Sequence, residues 1–171
     1  MNNLKMSAGA AFPPMGWDAV GGGRVEPAQG SGWRMLVVYR GKHCPICKTY
    51  LDTLQGMLDD FKAAQVAVFT VSADSRDKAE TEVISCGWTF PVGYDLSVEQ
   101  MRQLGLYVSA PRSAEETDRP FSEPGVFVLN PQGQVQIVDV SNAPFARPDL
   151  KSLLKGVRFV MDKEYPIRGT A

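Results

Sequence analysis

A chain of 171 residues that is 44% hydrophobic and 22% charged has the composition of an ordinary soluble domain able to bury one proper core. Its 18 Lys and Arg against 19 Asp and Glu leave a net charge of -1, which excludes both the basic field of a nucleic-acid binder and the acidic excess of a solvating tail. The longest apolar runs, Met35–Tyr39 and Val66–Phe69, are strand-sized, and Met1–Ala11 carries no apolar leader core, so neither a membrane span nor a secretory signal is read. Three cysteines are too few, and odd in number, for a disulfide framework; they point to a reducing compartment and to chemistry or packing.

Residues 1–32 are rich in Gly, Ala and Pro without helical period and are read as an extension packed on the domain formed by residues 33–171. From Trp33 the run Arg34-Met35-Leu36-Val37-Val38-Tyr39 predicts a buried parallel strand that Gly41 breaks. Pro45 suits a first helical position, and Cys47, Leu51, Leu54, Leu58 and Phe61 recur as one face of a single helix. Val66–Val71 predicts a second buried strand, followed by a helix capped at Asp74 or Ser75, running to Cys86 and ended by Gly87. Trp88–Tyr94 reads as a third strand interrupted by Pro91, and Ser97-Val98-Glu99-Gln100 as a capping box opening a short helix that Gly105 closes. Leu106–Glu123 has no period and reads as one long loop. Val126–Leu129, a turn at Asn130-Pro131-Gln132-Gly133 and Val135–Val138 form an antiparallel hairpin, and a last helix starts at Pro148 with Leu150, Leu153, Leu154, Val157 and Met161 on its apolar stripe. The sum is an α/β fold, a mixed sheet with helices on both faces, in an order that fits a thioredoxin-type core.

The chemistry sits in Cys44-Pro45-Ile46-Cys47, where a buried strand gives way to a helix. Cys44 falls at the helix N-terminus, where free N–H groups and the helix dipole favour an anion, so its thiolate is the expected nucleophile. Cys47 follows one turn later, roughly 5 Å away between Cα atoms and within disulfide reach, as the resolving thiol. Arg40, Lys42 and His43 place positive or ionisable groups just before Cys44, and His43 is equally readable as a proton shuttle or an exposed neighbour. Half of a zinc site would need further ligands, and only His43 and Cys86 are on offer, so no metal and no cofactor are expected. Cys86, without a charged cluster, reads as a packed or half-exposed free thiol.

The run Tyr39-Arg40-Gly41-Lys42-His43-Cys44-Pro45-Ile46-Cys47, with Glu123-Pro124-Gly125-Val126-Phe127-Val128-Leu129-Asn130-Pro131-Gln132-Gly133 far downstream, resembles the peroxiredoxin-like branch of the AhpC/TSA family in the thioredoxin superfamily, over about Trp33 to Asp139. The resemblance implies a thioredoxin fold, cysteine redox chemistry, a cytoplasmic setting, and a cis Glu123–Pro124 bond facing the helix tip. Two departures weigh on the substrate. The family's P-x-x-x-T-x-x-C pattern meets Arg40 and Cys44 when counted back from Cys47, and Val37 and Gly41 when counted back from Cys44; the family's arginine before the late strand is replaced by Pro124. Dithiol–disulfide exchange is therefore expected ahead of peroxide reduction, with a disulfide-containing protein or small-thiol substrate and a thiol reductant as partners. Were peroxide the substrate, the activating cation would be sought among Arg40, Arg112 and Arg119. A redox-sensing module using the loop Leu106–Glu123 and an inactive scaffold remain as alternatives of another class.

Overall fold

The Gly- and Pro-rich arm contributes the first two strands, β1 (Trp17–Asp18) and β2 (Arg24–Val25), paired antiparallel. The computed structural model describes residues 5–171; residues 1–4, the start of the arm, lie outside the described residues. Then follow β3 (Trp33–Val38), α1 (Pro45–Gly56), α2 (Leu58–Ala63), β4 (Val66–Val71), α3 (Arg76–Cys86), β5 (Val92–Gly93), α4 (Val98–Gln103), β6 (Val108–Ser109), β7 (Phe121–Ser122), β8 (Gly125–Leu129), β9 (Val135–Val140) and α5 (Leu150–Lys163).

The central sheet has the order β5-β4-β3-β8-β9. β3 runs parallel to β4 and antiparallel to β8, β4 runs parallel to β5, and β8 pairs antiparallel with β9, so the sheet is mixed. Because a strand's side chains alternate, β3 sends Met35 and Val37 to one core and Leu36 and Val38 to the other. The first core is closed by Leu51 and Leu54 of α1, Ala79 of α3 and Leu150, Leu154 and Val157 of α5, and it also contains both cysteines of the Cys-x-x-Cys pair. The second is closed by Met101 of α4 and by Phe12, Trp17 and Val25 of the arm.

The arm is therefore part of the fold's interior. Phe12 meets Phe127 of β8 edge to face at 5.9 Å between ring centroids, and burying side chains of this kind is worth roughly 1.5–3 kcal/mol each. The Trp17 indole N–H donates to Gln100 Oε1 at 2.8 Å. Arg34, only 3% exposed near the start of β3, has its guanidinium satisfied by carbonyls rather than paired with an acid: its Nη1 donates to the Pro27 carbonyl at 2.7 Å and its Nη2 to the Asn130 carbonyl at 3.1 Å, which ties the arm to the β8–β9 turn.

Local signals are realised where they concern local structure. Ser75 caps α3 and Gly87 ends it in the left-handed region at φ 69°; Ser97 and Gln100 form the capping box of α4. The hairpin turn closes with Gly133 N–H donating to the Asn130 carbonyl at 2.9 Å. Four expectations change. The single helix expected from Pro45 to beyond Phe61 breaks at Met57 (φ -105°, ψ 2°), just after Gly56, so α1 and α2 share one apolar stripe across a kink. The strand expected over Trp88–Tyr94 shrinks to β5, because Trp88 and Phe90 stack on each other in the core and Pro91 has no N–H to give; its carbonyl instead accepts from Thr70. The loop Leu106–Glu123 is pinched by the short β6–β7 pair, too brief to leave a period in the sequence. The last helix starts at Leu150, two residues after Pro148, because Asp149 serves as its N-cap and accepts from Ser152 N at 2.9 Å.

Candidate active site

Between β3 and α1 the chain must turn sharply, and Gly41 makes this possible at φ 131°; a Cβ there would meet Asp74 Oδ1 at 2.6 Å. Asp74 in turn holds the loop by accepting from Lys42 N at 2.7 Å. The loop delivers Cys44 as the N-cap of α1, its Sγ accepting from Cys47 N at 3.3 Å, with Pro45 in the first turn. Both cysteines are reduced, Cys44 is 2% exposed and Cys47 is fully buried.

The two sulfurs differ in acidity. A hydrogen bond from the Cys47 thiol, aided by the Cys47 backbone N–H and by Arg40, brings Cys44 down to about 6 despite its burial. The same thiol hydrogen bond, together with burial, holds Cys47 well above the ordinary range. One proton is thus shared unequally, with the thiolate at the helix tip.

Arg40 lies against this thiolate. Its Nε is 3.1 Å from Glu123 Oε2, its Nη2 is 3.8 Å from Glu116 Oε1, and its guanidinium covers the Phe121 ring at 4.9 Å. Glu123 is buried and also accepts from Ser109 Oγ at 2.8 Å, so the carboxylate that aims Arg40 is itself held. The other flanking residues are placed differently. Lys42 takes part through its backbone N–H only, and its side chain points to solvent. His43 packs edge to face on Phe121 at 4.6 Å, and burial, then Arg40, lowers its pKa, which favours the neutral ring. Arg112 is almost fully exposed and pairs with Glu116, while Arg119 binds Asp95 and Asp118, so of the three arginines named above only Arg40 reaches the cysteines.

Pro124 stands beside Tyr39, since Gly125 pairs with Val38 in the β3–β8 ladder, but no cis peptide bond occurs among the described residues. The expected cis Glu123–Pro124 bond is thus corrected to trans. The trans form is the lower in energy for an X–Pro bond, and here the extended backbone lets Glu123 face Arg40 while the Pro124 carbonyl accepts from Ser141 N at 3.1 Å.

A second arginine escaped the sequence reading. Arg147, in the loop before α5, donates from Nη2 to Cys47 Sγ at 3.1 Å, lies over the Tyr50 ring at 4.7 Å, and is braced by Nε donating to the Pro144 carbonyl at 2.8 Å. Nothing periodic marks it; the one available signal is a cation bracketed by Pro144 and Pro148. Each sulfur thus has its own guanidinium, Arg40 for Cys44 and Arg147 for Cys47. Among the described residues no group of three or more His, Cys, Asp or Glu side chains is placed to share a metal ion.

Cys86 is half-buried, and burial raises its pKa. Iodoacetamide at neutral pH is therefore expected to label Cys44 well ahead of Cys86, as read by peptide mapping; first labelling at Cys86 would overturn the assignment of the reactive thiol.

A sequence profile of the AhpC/TSA family matches residues 8–138. The chain belongs to the AhpC/TSA family. The match takes in most of the arm and all of the Cys44–Cys47 turn, and stops short of Arg147. A comparison with proteins of curated function finds no match. Among solved structures the AhpC/TSA-family chain is similar to a peroxiredoxin 6 of Arenicola marina (21% identity, TM-score 0.74, covering 91% of this chain and 73% of that one). It is similar also to a peroxiredoxin-like protein from Aquifex aeolicus (14%, TM-score 0.77, 92% and 89%) and to AhpC of Enterococcus faecalis (16%, TM-score 0.75, 97% and 100%). At these identities the likeness establishes the thioredoxin-like fold. No helix among the described residues is long and apolar enough to cross a membrane.

Proposed function

We propose that this AhpC/TSA-family protein is a thiol–disulfide oxidoreductase working through Cys44 and Cys47 in a reducing, cytoplasmic compartment. The observation that carries the reading is the placement of two cysteines one helical turn apart at the tip of α1, Cys44 as the N-cap accepting from Cys47 N at 3.3 Å and Cys47 Sγ facing Arg147 at 3.1 Å, a pairing that lowers the pKa of Cys44 and raises that of Cys47. The Cys44 thiolate attacks one sulfur of a substrate disulfide, the other leaves as a thiolate, and a mixed disulfide remains. Forming that bond removes the Cys44 charge that had held the Cys47 proton, and Arg147 then favours the Cys47 thiolate. Cys47 loses its proton and attacks Cys44 Sγ, the second substrate thiolate leaves, and a Cys44–Cys47 disulfide results. A two-electron thiol reductant restores the pair. The substrate is a disulfide-containing protein or a small disulfide.

A second reading, thiol peroxidase, is favoured by the 2% exposure of Cys44, which admits a small oxidant more readily than a bulky disulfide. There the thiolate would attack a peroxide oxygen, releasing water or an alcohol and leaving a sulfenic acid, and Cys47 would condense with it to release water and form the same disulfide.

Rapid mixing of the reduced protein separates the two. Trp88 shares the cysteines' core, edge to face on Tyr39, and its fluorescence reports the change. Oxidised glutathione is expected to oxidise the pair fully, and hydrogen peroxide to react only at the pace of an ordinary low-pKa thiol. Peroxide consumption approaching the diffusion limit would overturn the first reading in favour of the second.

A further inference from the structure

The last helix gathers positive charge in a chain that is nearly neutral. α5 carries Lys151, Lys155, Arg158 and Lys163 against a single acid, Asp162, while the net charge of the protein is -1. Steps of four and three set Lys151, Lys155 and Arg158 along one line of the helix, about 10 Å long at 1.5 Å per residue. All three are exposed, and among the described residues none of them is in an ion pair, in contrast to Arg40, Lys48, Lys78 and Arg119. The line borders a groove of about 520 Å³, lined also by the buried Leu154 and the half-buried Met57 of the α1–α2 kink, in which Asp60 is the one carboxylate. Arg158 is held across the groove, its Nη2 donating to the Asp60 carbonyl at 3.3 Å. Gly156 follows Lys155 in the helix interior, where glycine weakens a helix, yet a Cβ there would meet nothing within 4 Å. No contact inside the chain calls for it, and it keeps the outer face of α5 low beside the cations.

The same stretch of chain leads to the sulfurs. Arg147, at Cys47 Sγ, stands four residues before Lys151, and Tyr50 of α1 donates to the Pro148 carbonyl at 2.7 Å. Ile46, the residue after Pro45 in the cysteine turn, and Leu150, the residue before Lys151, line one hollow with Tyr50 and Phe145, and Phe145 is 76% and Ile46 47% exposed. An apolar patch beside the reacting atoms with charge at its edge is the layout of a protein interface. The thiol reductant is the partner that both readings of the Cys44–Cys47 cycle require. We propose that this reductant is a protein dithiol with an acidic surface, and that Lys151, Lys155 and Arg158 receive that surface while its reactive sulfur meets the Cys44–Cys47 disulfide. The proposal rests on the dithiol reading above. In the exchange the first reductant thiol loses its proton and attacks Cys44 Sγ, and Cys47 leaves as a thiolate and takes up a proton. The second reductant thiol then attacks the first, its disulfide closes, and Cys44 leaves as the thiolate, so two electrons pass from the reductant to the protein. The three cations touch no reacting atom; they raise the rate of encounter with a surface of opposite charge.

The test is the rate at which the oxidised protein is reduced by two synthetic dithiol peptides, alike in their Cys-x-x-Cys and differing in a tail of glutamates or of serines, followed by Trp88 fluorescence. At low salt the glutamate peptide is expected to react about tenfold faster. In about 1 M sodium chloride, where charges are screened beyond about 3 Å, the two rates are expected to converge. Lys155→Glu is expected to remove most of the advantage, whereas Arg102→Glu, an equal change of charge at an exposed position on α4 across the sheet, is expected to keep it. Dithiothreitol is expected to reduce all three proteins at one rate, which shows that the disulfide and the fold are intact in the variants. Equal rates for the two peptides at low salt, an advantage that survives high salt, or equal losses in Lys155→Glu and Arg102→Glu would each overturn the proposal while leaving the dithiol reading intact. An equal loss with dithiothreitol in Lys155→Glu would overturn it too, since docking of a protein surface has no part in that reaction. Failure of a Cys44–Cys47 disulfide to form at all would overturn both.

Discussion

Replacing Cys44 with serine is expected to abolish disulfide exchange, whereas Cys47→Ser is expected to leave the first step intact and to accumulate mixed disulfides. The serine hydroxyl is not ionised at neutral pH, so even with the helix N-terminus and Arg40 in place no nucleophile forms, and the loss is roughly a thousandfold or more, the scale on which a removed nucleophile is felt. Cys47→Ser keeps a donor for the Cys44 sulfur but removes the only sulfur in α1 able to release the bound thiol. Incubation with oxidised glutathione and mass spectrometry without reductant decide the matter: one glutathione on Cys44 at the helix tip in Cys47→Ser, none on Cys47, one turn further into α1, in Cys44→Ser. Equal adducts in both variants would end the division of roles between the sulfurs. Absence of adducts in both would favour a scaffold that has kept the fold without turnover.

The place of the pair at the tip of α1 was legible in the sequence because a Cys-x-x-Cys at a strand-to-helix junction is a local pattern, and local patterns carry over. Ser75, Gly87, Ser97 and Asn130-Pro131-Gln132-Gly133 act within a turn of where they stand, so their roles follow from neighbours in the chain. Arg147 reaches Cys47 from a hundred positions away, and Glu123 reaches Arg40 only because the β3–β8 register sets Pro124 beside Tyr39; neither contact leaves a period or a spacing to read. The arm was read as an extension packed on the domain, but which of its side chains pack could not be read from a composition without a period; Phe12, Trp17 and Val25 complete the second core by tertiary packing. The trans Glu123–Pro124 bond was misread because a resemblance in sequence does not transmit a backbone isomer, which depends on what the flanking side chains must meet.

The Arg40–Glu123 pair offers the other large effect, one in which stability and reactivity can be separated. The two side chains are 18% and 6% exposed at 3.1 Å, so each charge is tolerable in the interior because of the other. Arg40→Leu leaves the Glu123 carboxylate with the Ser109 hydroxyl as its remaining partner and is expected to cost roughly 3–5 kcal/mol, measured from the urea midpoint of the reduced protein. It also removes a cation from beside Cys44, so the thiolate absorbance should titrate at a higher pH than in the wild type. Adding Glu123→Gln to Arg40→Leu removes the stranded charge while keeping an acceptor for Ser109, and is expected to restore most of the stability without lowering the Cys44 titration. A cost below about 1 kcal/mol in the single variant would mean that the pair behaves as an exposed ion pair. Recovery of both properties in the double variant would mean that Arg40 acts on Cys44 only by keeping the loop folded, and an unmoved Cys44 titration in Arg40→Leu would assign the thiolate to the helix N-terminus and Cys47 alone.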